Sequence, residues 1–81
     1  MFARYGFEIE ENAGTGDVLI SYLSPQGMVR GIREGDIIVS CNGHRVASLD
    51  EFIARYNAAG KKIESLEIYR DKKLFEVDFE K

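Results

Sequence analysis

Apolar and acidic side chains alternate along Tyr5-Gly6-Phe7-Glu8-Ile9-Glu10, the period-two signature of a strand with one buried and one wet face. Phe7 and Ile9 are expected to point inward. The segment Asn12-Ala13-Gly14-Thr15-Gly16-Asp17 carries turn chemistry, because Gly and Asn tolerate positive φ, and it separates this strand from a second, Val18 to Leu23. The two strands are predicted to form a hairpin. Ser24-Pro25-Gln26-Gly27 breaks the sheet, since proline has no ladder donor, and Met28 to Ile32 leaves room for one short helical turn. Asp36 to Cys41 is β-branched and almost wholly apolar, which predicts a central strand. Asn42-Gly43 then predicts a two-residue turn into a short strand, His44 to Val46.

Ser48-Leu49-Asp50-Glu51 has capping-box spacing: the serine hydroxyl accepts the Glu51 amide proton and the Glu51 carboxylate reaches back to the Ser48 amide. Leu49, Phe52, Ile53 and Tyr56 follow at i, i+3, i+4 and i+7, one apolar stripe of a helix over about 49 to 59, with Gly60 as a left-handed cap. Two last strands, about 62 to 70 and 73 to 80, flank an Asp71-Lys72 turn. Pairing Arg70 with Lys73 sets Ile68 against Phe75 and Leu66 against Val77, and gathers the large apolar residues, Tyr69 and Leu74 excepted, on one side. The elements predict an α+β, mainly β fold: one domain over residues 1–81, a small partly open five- to six-stranded β-barrel or sandwich with one short and one longer helix.

Composition narrows the function. The chain has 81 residues, 44% of them hydrophobic, enough for one core. Its net charge of -3 argues against a phosphate-backbone partner, so no nucleic acid is expected. One cysteine allows no internal disulfide, and one Cys with one His cannot make a structural zinc site, so neither metal nor cofactor is expected. No apolar run has the length of a membrane span, and the start lacks a signal peptide's basic and apolar regions. The chain reads as soluble with no direct membrane insertion, and equally as one domain of a longer secreted or membrane-tethered protein.

Candidate chemistry is thin. Cys41 and His44 are the nucleophile and base candidates, but they flank a tight turn, and a small buried cysteine beside an exposed histidine is the simpler reading. The many strand carboxylates alternate onto wet faces, which leaves no pair in one pocket for acid-base work. Gly14-Thr15-Gly16 has no Lys-Ser/Thr after it and opens no helix, so it is no phosphate loop. No enzyme is expected. An edge strand at Tyr5, by contrast, offers a partner peptide ladder bonds with side-chain pockets beneath.

At this point the sequence resembles a PDZ domain over nearly its whole length. Arg4-Tyr5-Gly6-Phe7 is similar to the family's carboxylate-binding loop, and Glu8-Ile9-Glu10 to the strand that pairs with the ligand. Ile32-Arg33-Glu34-Gly35-Asp36-Ile37-Ile38-Val39-Ser40-Cys41-Asn42-Gly43 resembles the family's most recognisable stretch, and Ser48 to Gly60 its second helix. Almost nothing precedes Arg4, so the usual N-terminal strand is missing. In bacterial, circularly permuted members found in envelope proteases the last strand fills that place, as Leu74 to Glu80 would here. The resemblance implies a periplasmic or membrane-tethered parent, with this domain regulating or targeting an attached protease. It implies capture of C-terminal peptides or unfolded tails with hydrophobic residues, by strand addition between residues 5–10 and the helix at 49–59. The alternative is an interdomain scaffold or secretion-complex docking domain with a blocked groove.

On this reading amides of Tyr5, Gly6 and Phe7 form a nest for a terminal carboxylate, Arg4 adds charge, and Gly6 serves the ligand more than the fold. The strand Phe7-Glu8-Ile9 aligns the peptide, and Tyr5, Phe7, Ile9, Ile53 and Tyr56 line the pocket for its last side chain. The resemblance sets Leu49 against the ligand's third-from-last residue.

Overall fold

The computed structural model describes residues 5–79. Six strands and two helices follow in the order β1 (Phe7–Glu11), β2 (Val18–Leu23), α1 (Pro25–Met28), β3 (Ile37–Cys41), β4 (His44–Arg45), α2 (Leu49–Ala58), β5 (Ser65–Arg70) and β6 (Lys73–Asp78). All strand pairings are antiparallel. They form one open sheet in the order β1-β2-β3-β5-β6, with β4 hanging from β3. The fold is therefore small, α+β and mainly β, with an unclosed sheet.

The core is built from the positions that the alternating patterns select: Phe7, Val18, Ile20, Ile38, Leu66 and Ile68 on the sheet, with Phe52 and Tyr56 of α2 laid over them. The β5–β6 register pairs Arg70 with Lys73, Ile68 with Phe75 and Leu66 with Val77, as the apolar pattern requires. Asp71 and Lys72 both have positive φ, the conformation that lets a two-residue turn follow the right-handed twist of its strands. The Asn42-Gly43 turn does the same between β3 and β4.

Helix α2 has both expected ends. The Ser48 hydroxyl accepts the Glu51 amide at 3.1 Å. At the C-terminus the Lys61 amide reaches the Tyr56 carbonyl and the Gly60 amide reaches Asn57, a Schellman closure that needs the positive φ found at Gly60. The capping box differs in one bond: the Glu51 carboxylate accepts the Ala47 amide at 2.6 Å rather than that of Ser48.

Two further expectations need correction. Proline starts α1 rather than merely ending β2: Ser24 caps the helix through Gly27 and Pro25 occupies its first turn, where the missing amide proton is not needed. The short helix thus lies at 25–28 instead of 28–32. Phe75 does not join the core with Val77 and Phe79. It stays 40% exposed, because near the hairpin tip the edge strand outruns the core, and the Arg70 guanidinium covers its ring at 5.2 Å.

One buried charge organises the centre. Asp36 is 2% exposed and takes a two-pronged contact from Arg70, with Nε donating to Oδ1 at 2.8 Å and an NH2 nitrogen to Oδ2 at 2.7 Å. The Arg33 amide donates to the same carboxylate at 2.7 Å, and Arg70 also donates to the Gly31 carbonyl at 2.8 Å. The pair joins the 31–36 loop to the end of β5. Asp36→Ala is expected to lower the unfolding free energy by about 3 kcal/mol, since it strands a partly buried guanidinium, while Glu34→Ala at an exposed position changes it by under about 0.5 kcal/mol. Chemical denaturation of the two variants checks this.

Candidate functional site

The expected ligand strand is an edge. Among the described residues β1 pairs with β2 alone. Which of its backbone groups face outward follows from β2. Ile20 donates its amide to the Asp36 carbonyl at 3.0 Å and accepts the Gly35 amide at 2.8 Å, so its backbone is committed to the β3 side. Ile9 lies opposite Ile20, and in an antiparallel ladder such a pair exchanges no bonds, which turns the Ile9 amide and carbonyl away from β2. A register shift between Glu8 and Ile9 kinks the strand at the same place.

Helix α2 is tied to the far end of this strand. Glu11, the last residue of β1, accepts the Leu49 amide at 3.2 Å, satisfying one of the orphan donors of the helix N-terminus. Ile9, Leu49 and Tyr5 are partly buried and packed on the core, and Ile53 is half-buried on α2. Glu8 is also half-buried. Phe7 and Tyr56, expected as pocket walls, are 0% and 7% exposed and belong to the core itself. Arg4 lies outside the described residues.

The loop ahead of β1 is held from three sides. Tyr5 packs edge-on against Phe79 with ring centroids 5.8 Å apart, and Phe79 lies 5.9 Å from the Phe7 ring. The Tyr5 hydroxyl oxygen accepts the Ile63 amide at 3.0 Å, across the chain that follows α2. Arg30 stacks on the outer side of Phe79, 4.8 Å from its centroid, and donates to its carbonyl at 3.3 Å. The end of the chain therefore braces the expected carboxylate loop.

Gly6 has φ +91°, and a Cβ there would overlap the Gly27 amide nitrogen and lie 2.6 Å from the Gly27 Cα. A Cβ on Gly27 would in turn overlap the Gly6 carbonyl oxygen. The Ser24 amide donates to that same carbonyl oxygen at 2.9 Å. The close approach that requires a glycine at position 6 is thus an approach of backbone to backbone, so Gly6 serves the fold directly. Gly6→Val and Gly27→Ala are each expected to destabilise by about 2 kcal/mol or more, at the scale of strained backbone and overpacked contacts, and to be non-additive in the double variant; thermal melts read this out.

Two site-shaping residues are not marked by the sequence pattern. Asn42 does more than turn the chain: its Oδ1 accepts the Glu64 amide at 2.7 Å and the Ser65 amide at 3.2 Å, and its Nδ2 donates to the Lys62 carbonyl at 2.9 Å. It clamps the segment that carries Ile63 under Tyr5. Glu11 looks in the sequence like one more carboxylate of a wet acidic face. An acidic residue ending a strand ahead of a capped helix is the one signal that points to it.

Cys41 is fully buried while His44 is exposed at the turn. Burial pushes the Cys41 thiol from the usual 9.0 to about 11, away from the thiolate that a nucleophile needs. Among the described residues no group of three or more His, Cys, Asp or Glu is placed to hold a metal ion. A thiol that titrates at about 11 instead of 9.0 holds about a hundredfold less thiolate near neutral pH, so alkylation of Cys41 in the folded chain is expected to be slower by at least that factor than in denaturant. Comparable rates in the two states would show that the thiol is neither buried nor shifted.

The larger clefts lie elsewhere. A cleft of about 470 Å³ is lined by Leu23, Met28, Gly31, Ile32, Arg33 and Glu34 beside α1. A second, of about 400 Å³, lies between residues 33–37 and 69–71. No protein-family model matches the chain, and no curated protein sequence is significantly similar to it.

Proposed function

We propose that the protein is a peptide-binding module that takes up the C-terminal or exposed hydrophobic tail of a partner as an added strand along β1, between that strand and α2. The outward-turned backbone of Ile9 on an edge strand is the observation that carries this reading. A ligand residue opposite Ile9 gains two ladder bonds without disturbing β2, and its neighbours' side chains reach the half-buried Ile9, Leu49 and Ile53. The resemblance of the Tyr5-Gly6-Phe7 loop and the Ile32 to Gly43 stretch to PDZ domains supports the same direction. It adds a role for the loop in receiving a terminal carboxylate and a role for the domain in regulating or targeting an attached protease. For an interface this small the affinity is on the order of micromolar.

An amide-shift titration with C-terminal peptides tests the proposal. Saturable shifts at Gly6, Ile9 and Ile53 that vanish with amidated peptides are expected, and their absence at millimolar peptide sinks it. Leu49 offers no hydrogen-bonding group, so each methylene buried against it contributes about 0.8 kcal/mol, a preference of about fourfold. Aliphatic residues are therefore expected to outcompete Ser at the third-from-last ligand position, and Leu49→His to reverse the order.

A second reading, a scaffold that docks through another face, is favoured by the exposure of Met28 and of Val29, which is 84% exposed, beside the cleft at α1. Shifts confined to residues 23–34 on adding the parent protein's other domains would support it against the first.

A further inference from the structure

The second edge of the sheet differs from the first. Strand β6 pairs with β5 in unbroken register from Asp78 to Lys73, with no bulge and no proline, and among the described residues nothing pairs on its other side. Its outward groups can be assigned. The Phe79 amide donates to the Glu64 carbonyl at 2.8 Å, in line with the β5–β6 register, so alternation commits Lys73, Phe75 and Val77 to β5. The backbones of Leu74, Glu76 and Asp78 point outward. Leu74 is also 59% exposed and Phe75 40%, on opposite faces of the strand. Natural edges are commonly blunted by bulges, prolines or repelling charge; β6 has no bulge and no proline, and its charges, Lys73, Glu76 and Asp78, are of both signs.

We propose that β6 pairs antiparallel with β6 of a second copy of this chain, extending the sheet across a twofold axis at Phe75. In that register Phe75 meets its own copy, Leu74 lies opposite Glu76 and Lys73 opposite Val77, and the turn residue Lys72, just beyond the strand, comes beside Asp78. The Lys72–Asp78 pairs place opposite charges at both ends of the new ladder. Lys72 of the copy also stands diagonal to Glu76, which within one chain faces the like charge of Glu67. A slip that centres the axis on Glu76 instead sets Glu76 against itself, so charge works against that register. The same operation on β1 sets Glu8 against Glu10, a like-charge pair, which leaves that edge to a peptide rather than to a copy of itself.

Sedimentation of the full chain from about 10 to about 500 µM, the range in which small interfaces assemble, is expected to show a monomer–dimer equilibrium. Leu74→Glu, at an exposed position, sets like charges opposite one another at Glu76 of the copy and is expected to weaken dimerisation at least tenfold with an unchanged thermal melt. Lys72→Glu is expected to weaken it several-fold, and Lys72→Glu with Asp78→Lys to restore it. Phe75→Cys, oxidised with glutathione disulfide, is expected to cross-link across the axis, since residues opposite in a non-hydrogen-bonded pair come within disulfide reach and Cys41 is sealed in the core. A chain monomeric throughout, or a dimer indifferent to Leu74→Glu, overturns the proposal. A dimer that Phe75→Cys fails to cross-link overturns its register.

Discussion

A carboxylate almost cut off from water sits where β2, β3 and β5 meet, and the arrangement of the rest of the molecule follows from how it is satisfied. Asp36 is held by both prongs of Arg70 and by the Arg33 amide. An unpaired charge there would be costly, so the 31–36 loop and the end of β5 are locked to one another. The hydrogen bond to Asp36 favours the charged form of the Arg70 guanidinium still further. With Gly35 and Asp36 fixed, their backbones engage Ile20 in a single register, and Ile20 in turn decides which way Ile9 faces on the next strand. The direction of the exposed ladder on β1 is thus set by an ion pair two strands away.

The loop before β1 depends on a different constraint, contact between two glycines. Gly6 and Gly27 touch backbone to backbone, which leaves no room for a side chain on either. Tyr5 and Phe7, on either side of Gly6 in the chain, pack with the Phe79 ring, on which Arg30 stacks. Residues from the two ends of the chain so become one aromatic cluster under the loop. The two edges that the open sheet leaves also differ in chemistry. One is kinked and lined with glutamates; the other is regular, mixed in charge and apolar.

Much of this was legible from local pattern. The period-two alternation of β1, the Asn42-Gly43 turn, the Ser48 cap with its apolar stripe and Gly60, and the β5–β6 register were each readable because neighbours along the chain or across one tight turn decide them. The β6 register was readable for the additional reason that a slip of one residue would turn Leu66 and Ile68 away from the core. What local pattern misjudged were positions with two competing roles. Pro25 ends a strand and also begins a helix. Phe75 carries the right apolar character on the right face, but only the extent of the core decides whether such a residue is buried.

The sequence by itself determined the element types, the order of strands and helices, and the presence of one apolar core, because hydrophobic periodicity and turn chemistry are local properties. Tertiary structure alone decided that Asp36 would meet Arg70, that Asn42 would clamp residues 62–65, that Gly6 would rest on Gly27 and that Glu11 would cap α2. Each of these contacts joins residues far apart along the chain. Their partners are chosen by how the sheet folds the chain back on itself, and a buried polar group or a backbone contact leaves no periodic trace in the chain to announce its partner.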